Sequence, residues 1–502
     1  MPIYPRSVSS RLGRFAGLNV ARHLWLSLLS LVATPVLYHG LGAGAYGILA
    51  LVNLLTSQLA VLEFGFGHAT IRWLSRARSL DDQEAIGRIL STSLWVFVAA
   101  AVVGAVIIVG LHEYLVEEFF RIPHELLETA RVAILVAAVF FVAVVLGNLA
   151  GAVWQGSQRF GFLNLITGVG STIQILGSLC LVMLGLSVIH VIVWSTALGI
   201  GLLGVHLWGF RREISLEGLK VCPDGKTLRE MASFGVLLML AGLFSQVYLT
   251  AGPLVLGHFV LVSALPFFTV PFGIFQRLYR LASGVSSALF PVVAELDGVK
   301  DHRTLDRVFL SGTRVLLLAG LATGLPAVLL AGPFLDLWMG KAFAVEATPV
   351  LERLFLAYVI TLATVPSVEL ARGRGRAGRV AAHVGILASV NLLGVLLLAP
   401  GYGVAGAASA FLAAQTVGSA ILFLWVGGRS VLRLLDFRLL TLLGVGLLLT
   451  YAGYVSVQAL TIRISIAVGT GLFLLFTGFF WVLDSEEQKA MRRSFMGVFS
   501  RA

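Results

Sequence analysis

The feature that most constrains this chain is an unbroken alternation between apolar stretches of about 20 residues and short connectors. A hydrocarbon core of about 30 Å is crossed by about 20 helical residues. Hydrophobic residues make up 58% of the chain and charged residues only 12%, far from the composition of a soluble domain. The sequence therefore predicts an all-α polytopic membrane protein.

The 502 residues have room for about fourteen transmembrane helices and for no soluble domain with a core of its own. The apolar stretches predict spans at 15–38, 47–71, 89–111, 129–154, 163–185, 189–209, 231–256, 262–285, 309–331, 350–371, 380–399, 404–426, 439–457 and 464–483.

Arg and Lys are concentrated in every second connector, as in segments 72–88 and 372–379. The other connectors are nearly free of positive charge, with Arg121, Lys341 and Arg463 as the exceptions. Positive connectors remain on the cytoplasmic side, so we expect a multi-pass protein of the bacterial inner membrane with both termini in the cytoplasm. The net charge of +11 then faces anionic lipid headgroups, and no nucleic-acid partner is expected.

A faint internal repeat suggests two halves. The pair Leu41-Gly42 has a counterpart later in the chain at Leu256-Gly257. At a similar offset, Leu184-Gly185 has a counterpart at Pro400-Gly401. Parallel repeats of this kind place a substrate path between the halves. We predict a lobe of six helices at 1–215, a cytoplasmic linker at 216–230, a second lobe of six helices at 231–426, and two additional helices with a cytoplasmic tail at 427–502.

The chain contains none of the common catalytic motifs: no phosphate-binding loop, no HExxH, no CxxC pair and no GxSxG. The connectors are also too short to form an active-site domain. We therefore expect a transporter with no catalytic residue, no metal site and no cofactor. Whether Na⁺ or H⁺ couples the transport stays open.

Cationic side chains lie within the predicted spans, where an unpaired Arg costs at least about 2.5–3.5 kcal/mol. Arg277 and Arg280 are three residues apart and share a helix face, and Arg22 shares a face with Asn19. Because the Arg fork binds phosphate oxygens in pairs, these four residues are candidates for binding a diphosphate in an inner vestibule. Snorkelling to the interface, or a structural pair of Arg22 with Glu63, would explain the same residues.

Two carboxylates are candidates for ion coupling or charge pairing. Glu63 falls within the predicted second span, where it would stabilise an Arg or carry a coupling proton or sodium ion. Glu369 falls near the end of the tenth span, within reach of Arg372.

Uncharged polar residues form short stripes at helical spacing and predict a polar cavity lining. The residues concerned are Asn53, Gln174, Gln246 and Gln415. Each could equally hold neighbouring helices together. The histidines within the spans show no ligand spacing and are interpreted as structural; they are His23, His68, His190, His206 and His383.

Several short segments together resemble a known family. They are Asn19 through Tyr46-Gly47, Glu63-Phe64-Gly65-Phe66-Gly67 with Arg72, Gln155-Gly156-Ser157-Gln158-Arg159 with Asn164, and Pro400-Gly401-Tyr402-Gly403-Val404. The pattern is similar to that of Wzx-type polysaccharide or O-antigen flippases in the multidrug/oligosaccharidyl-lipid/polysaccharide exporter superfamily. The resemblance implies two six-helix lobes around a cavity that opens alternately to either side.

The implied substrate is an oligosaccharide linked to undecaprenyl diphosphate, moved from the cytoplasmic to the periplasmic leaflet for polysaccharide or lipopolysaccharide synthesis. Membrane lipids, a polysaccharide polymerase and glycosyltransferases are the further partners considered. The chain has Glu63 where the family commonly has Asp, and Thr250-Ala251 where many relatives carry an acidic residue. The alternatives are a multidrug exporter of the same superfamily, a membrane enzyme of glycan assembly, and a structural membrane protein.

Overall fold

The computed structural model describes residues 6–59, 63, 65–120, 122–213, 223–286, 293, 296–298, 301–427, 437–456, 460–483 and 488. All regular structure in these residues is helical, which confirms the predicted all-α class. The long helices are α1 (Arg6–Leu41), α2 (Ala43–Leu59), α3 (Phe66–Ser79), α4 (Gln83–Tyr114), α5 (Leu127–Gly156), α6 (Phe160–Met183), α7 (Val188–Glu213), α8 (Gly225–Phe259), α9 (Leu265–Ser286), α10 (His302–Met339), α11 (Lys341–Gly373), α12 (Ala377–Gly427), α13 (Phe437–Ser456) and α14 (Leu460–Thr477).

Ten helices in the described part of the chain are long and apolar enough to cross a membrane. The longest, α12, contains a backbone break at Gly403, where φ is 54° and ψ is −134°. Only glycine adopts such a conformation readily, and the break falls between the eleventh and twelfth predicted spans. The protein is thus a multi-pass membrane protein, and the total of fourteen crossings stays a prediction.

The prediction of one continuous helix over 47–71 is wrong. The helix α2 ends at Leu59, and α3 begins only at Phe66. Between them Gly65 has a φ of 69° and a ψ of 8°, in the left-handed region that glycine enters without a steric cost. An uninterrupted apolar pattern does not reveal such a break, because hydrophobicity reports burial in lipid and not backbone continuity. Glu63 therefore lies in the interruption and belongs to neither α2 nor α3.

The chain forms two compact units. The first consists of Met1–Gln246 with Gly257–Pro266, and the second of Val247–Leu256 with Phe267–Ala502. In the first, large aromatic side chains such as Phe97, Phe141 and Trp154 are fully buried. In the second, α10, α11, α13 and α14 share an apolar core that includes Leu325, Val359, Leu442 and Leu474. The boundaries predicted at 215, 231 and 427 stay predictions.

Candidate functional site

Helix ends in the first unit surround a cavity of about 790 Å³, which we name the Arg22 cavity. Its wall includes Arg22 of α1, Glu63, the first turns of α3, the last turns of α5, the first turns of α6, and His206 of α7. On α5 the wall is formed by small or polar residues at helical spacing, namely Gly147, Asn148, Gly151, Ala152 and Gln155. Because Gly147, Gly151 and Ala152 are small, they leave open space next to the longer polar side chains of the other helices.

Arg22 is half-buried and is held by neutral acceptors on α6. Its Nη1 donates a 2.9 Å hydrogen bond to Oδ1 of Asn164 and a second one to Oγ1 of Thr167. Gly168 lies beside the aliphatic stem, since a Cβ built there would be 3.4 Å from Cγ and Cδ of Arg22. These bonds fix the direction of the guanidinium without adding a negative charge to it. Arg22 was predicted from its sequence position, whereas Thr167 was not.

Glu63 reaches the same cavity from the interruption between α2 and α3. Nδ2 of Asn148 on α5 donates a 2.6 Å hydrogen bond to its Oε1. The two charged side chains of the cavity wall thus have hydrogen-bond partners on different helices, Glu63 on α5 and Arg22 on α6. An amide partner orients a carboxylate and leaves its charge available to a cation or a proton. Asn148 was missed by sequence reasoning, although the flanking Gly147 and Gly151 signal a helix face with open space.

Two histidines interpreted as structural also line the Arg22 cavity, His68 and His206. The indole Nε1 of Trp154 donates a 2.9 Å hydrogen bond to Nδ1 of His206. Because an indole nitrogen can only donate, Nδ1 must be the acceptor, and the ring proton is on Nε2. His206 is therefore held in one tautomer by a buried partner, and the same residue lines the cavity. No sequence spacing could show this contact, because the two residues lie on different helices.

A second cavity of the first unit, of about 500 Å³, is lined by the predicted residues Asn53 and Gln174. The Gln174 amide donates to Oγ of Ser195 at 2.6 Å and of Ser178 at 3.3 Å. Gln246 donates from its amide to the main-chain oxygen of Ser57 at 3.2 Å. Gln174 thus joins α6 to α7 through Ser195 and also lines the cavity, so for this residue the two interpretations of the polar stripes are not exclusive.

The remaining candidates lie in the second unit. Arg277 and Arg280 are on α9, and a Cβ built at Gly273 would lie 3.1 Å from Nη1 of Arg277. The Arg277 guanidinium therefore folds back over the preceding turn of its helix. Their sharing of one vestibule with Arg22 stays a prediction. The side chain of Asn19 lies outside the described residues.

Glu369 and Gln415 are both buried and hydrogen-bonded. Nη1 of Arg372 donates a 3.0 Å hydrogen bond to Oε1 of Glu369, as the spacing predicts. Gln415 accepts from the Tyr248 hydroxyl at 2.7 Å and donates to Oγ of Ser419 at 3.2 Å. The Gln415 amide thus joins α12 to α8 through Tyr248 and bonds to Ser419 within α12, and the first contact corresponds to the bonding interpretation of its stripe.

The chemistry available in the Arg22 cavity is that of noncovalent binding. It offers a cationic fork, a carboxylate, two imidazoles and several amides. In the part of the chain that the structure describes, no group of three or more His, Cys, Asp or Glu residues is arranged to hold a metal ion. The cavity is suited to a polar ligand with both acceptor and donor groups.

Comparisons with known proteins identify the fold and the family of this chain. A protein of Shigella flexneri named as an O-antigen transporter is 21% identical over 416 residues, which cover 80% of this chain and 94% of that protein. The lipid II flippase MurJ, in an inward closed conformation, superposes with a TM-score of 0.72 at 14% identity and covers 92% of this chain and 97% of its own. An inward-facing multidrug resistance transporter of the MATE family gives a TM-score of 0.71 at 16% identity, covering 83% and 98%.

The fold is accordingly that of MATE and MurJ transporters, and the relatives are named for transport and not for catalysis. The profile of the family described as polysaccharide biosynthesis protein matches residues 41–347, more than half of the chain. The protein is a membrane flippase or transporter, and it belongs to the polysaccharide biosynthesis protein family.

Proposed function

We propose that this protein moves an oligosaccharide linked to undecaprenyl diphosphate from the cytoplasmic to the periplasmic leaflet of the bacterial inner membrane. The observation that carries the proposal is the Arg22 cavity, in which a guanidinium held by Asn164 and Thr167 lines a space of about 790 Å³. Family membership and the relative named for O-antigen transport support the same class of substrate.

A diphosphate fits the cavity chemistry because it presents several anionic oxygens to a planar fork of donors. Charge-assisted hydrogen bonds from Arg to phosphate are about twice as strong as neutral ones. The amides of Asn148 and Gln155 supply further donors and acceptors for sugar hydroxyls. Glu63, whose hydrogen-bond partner Asn148 lies on α5 and not on α6, would then be available to a coupling Na⁺ or H⁺.

The position of the cavity along the helices supports loading from the cytoplasmic side. It lies at the end of α5 and the beginning of α6, beside Arg159, and at the end of α7, beside Arg211. These ends carry the positive connectors that the positive-inside rule assigns to the cytoplasm. Loading of the substrate from the cytoplasmic leaflet, followed by release to the other side through alternating access, is the mechanism that we propose.

The test is the sidedness of undecaprenyl-linked glycans in a strain that lacks this gene. Wild type should relieve a cytoplasmic accumulation, whereas Arg22→Gln should not, at equal membrane levels. Arg131→Gln is the matched control, because Arg131 pairs with Glu117 and Glu128 and does not line the cavity. The double variant Arg277→Gln/Arg280→Gln tests whether the second unit contributes to the diphosphate site.

Normal complementation by Arg22→Gln would refute the role of Arg22. Absence of any glycan accumulation in the deletion strain, together with altered sensitivity to cationic drugs, would refute the flippase proposal and favour a multidrug exporter.

A further inference from the structure

A separate cavity of about 760 Å³ lies in the second unit, among the end of α10, the beginning of α11, the end of α13 and the beginning of α14. We name it the Lys341 cavity. Its polar wall is formed by Asp336, Lys341, Thr348, Tyr454 and Arg463. None of these residues belongs to the Arg22 cavity or to the transport mechanism proposed above.

The two cations are unusual because of where the sequence puts them. They belong to the connectors that alternate with the Arg- and Lys-rich ones and are otherwise nearly free of positive charge. Lys341 and Arg463 are two of the three exceptions in these connectors. They are distant in sequence, yet the fold brings both into the wall of one cavity. Positive residues on the side that the charge bias avoids call for a local reason, and an anionic ligand supplies one.

The acidic groups of the region limit which anion fits. Asp336 lines the cavity with the two cations, so the wall offers an acceptor as well as donors. Glu352 lies nearby, where it is hydrogen-bonded by Tyr454 and interacts electrostatically with Arg353 and Arg463. A ligand that satisfies all three charged groups carries a phosphate for Lys341 and Arg463 and a hydrogen-bond donor for Asp336.

The rim of the cavity is apolar and open to the surroundings. Leu337 is 87% exposed, Val345 66% and Leu460 48%, and all three line the same cavity. Exposed apolar side chains of this kind are suited to contact with acyl chains. A charged wall below an apolar rim matches an amphiphile, with its headgroup inside and its chains along the rim, and not a water-soluble anion.

We propose that the Lys341 cavity binds the headgroup of a phospholipid from the leaflet on that side, with the phosphate on Lys341 and Arg463 and a headgroup donor on Asp336. Phosphatidylethanolamine and phosphatidylglycerol both carry a phosphate and a donor. Phosphatidylcholine carries the phosphate without a donor and should bind less well.

The experiment uses the full-length purified protein in nanodiscs of phosphatidylcholine alone or supplemented with phosphatidylethanolamine or phosphatidylglycerol. We expect the supplemented lipids to raise the melting temperature and to be retained as a discrete adduct in native mass spectrometry. The double variant Lys341→Gln/Arg463→Gln should bind that lipid about tenfold more weakly or worse, since two charge-assisted hydrogen bonds are lost.

The charge-preserving variant Lys341→Arg/Arg463→Lys should retain the adduct, and it separates loss of binding from loss of folding. Arg131→Gln should also retain it, because this residue lies outside the cavity. An adduct of equal affinity in the double Gln variant would overturn the proposal. The same rise in melting temperature from inorganic phosphate alone would also overturn it, in favour of a site for a free anion. Equal retention of all three phospholipids would overturn the role of Asp336.

Discussion

The buried pair of Trp154 and His206 leads to a quantitative prediction about the wall of the Arg22 cavity. The two side chains are 1% and 6% exposed, and one 2.9 Å hydrogen bond joins them. Trp154→Phe removes the donor and leaves Nδ1 of His206 buried without its partner. An orphaned buried polar group costs about 1–3 kcal/mol, and His206→Leu should cost a similar amount by orphaning the indole N–H.

The double variant Trp154→Phe/His206→Leu removes both polar groups at once. Since replacing both partners by apolar groups can be nearly neutral, the double variant should be more stable than the sum of the two single effects by about 2–6 kcal/mol. The assay is reversible unfolding in mixed micelles for wild type, both single variants and the double variant. Additivity of the single effects to within about 0.3–0.5 kcal/mol would refute the pairing and the tautomer derived from it.

Two glycines near the same cavity give further predictions. Gly147→Leu should impair transport without loss of folding, because a Cβ at Gly147 meets no atom within 4 Å and the added side chain enters the cavity. The control is Gly110→Leu, on an exposed face of α4 with equally open space. This variant should transport normally in the same sidedness assay. Gly65→Ala should lower the free energy of unfolding by about 1–2 kcal/mol, because the φ of Gly65 is 69°. Gly67→Ala, in the first turn of α3 with a nearest contact of 4.0 Å, should leave the free energy of unfolding nearly unchanged. Thermal melts measure both effects. Equal behaviour within either pair of glycine variants would contradict the assigned geometry.

The class of fold followed directly from the sequence, because a membrane imposes length and hydropathy on each crossing. Arg22 was also predictable, since a cation within an apolar stretch demands a polar partner. The partners themselves were not, because Asn164, Thr167 and Asn148 look like ordinary polar residues on their own helices. Their meaning comes from which helices lie side by side, and hydropathy does not encode that arrangement.

The histidines show the same limit of sequence-based prediction, which does not reveal contacts between helices. The absence of ligand spacing argued against a metal site built from neighbours on one helix, but it carried no information about contacts between helices. The chain pairs His206 with Trp154 across α5 and α7, and such a pair is visible only after the helices are assembled. Similarly, Lys341 and Arg463 appeared as unrelated exceptions to the charge bias until the fold placed them in one cavity.

The interruption at Gly65 has a mechanical consequence. A continuous helix behaves as a rod, so a tilt at one end displaces the other end by a proportional amount. Because Gly65 is left-handed, α2 and α3 are separate helices, and a tilt of one is not transmitted rigidly to the other. Glu63 lies between α2 and α3, and its hydrogen bond with Asn148 connects this segment to α5. A cation or proton that binds Glu63 in place of Asn148 would break this hydrogen bond, so binding of the charge and release of the segment from α5 would depend on the same carboxylate.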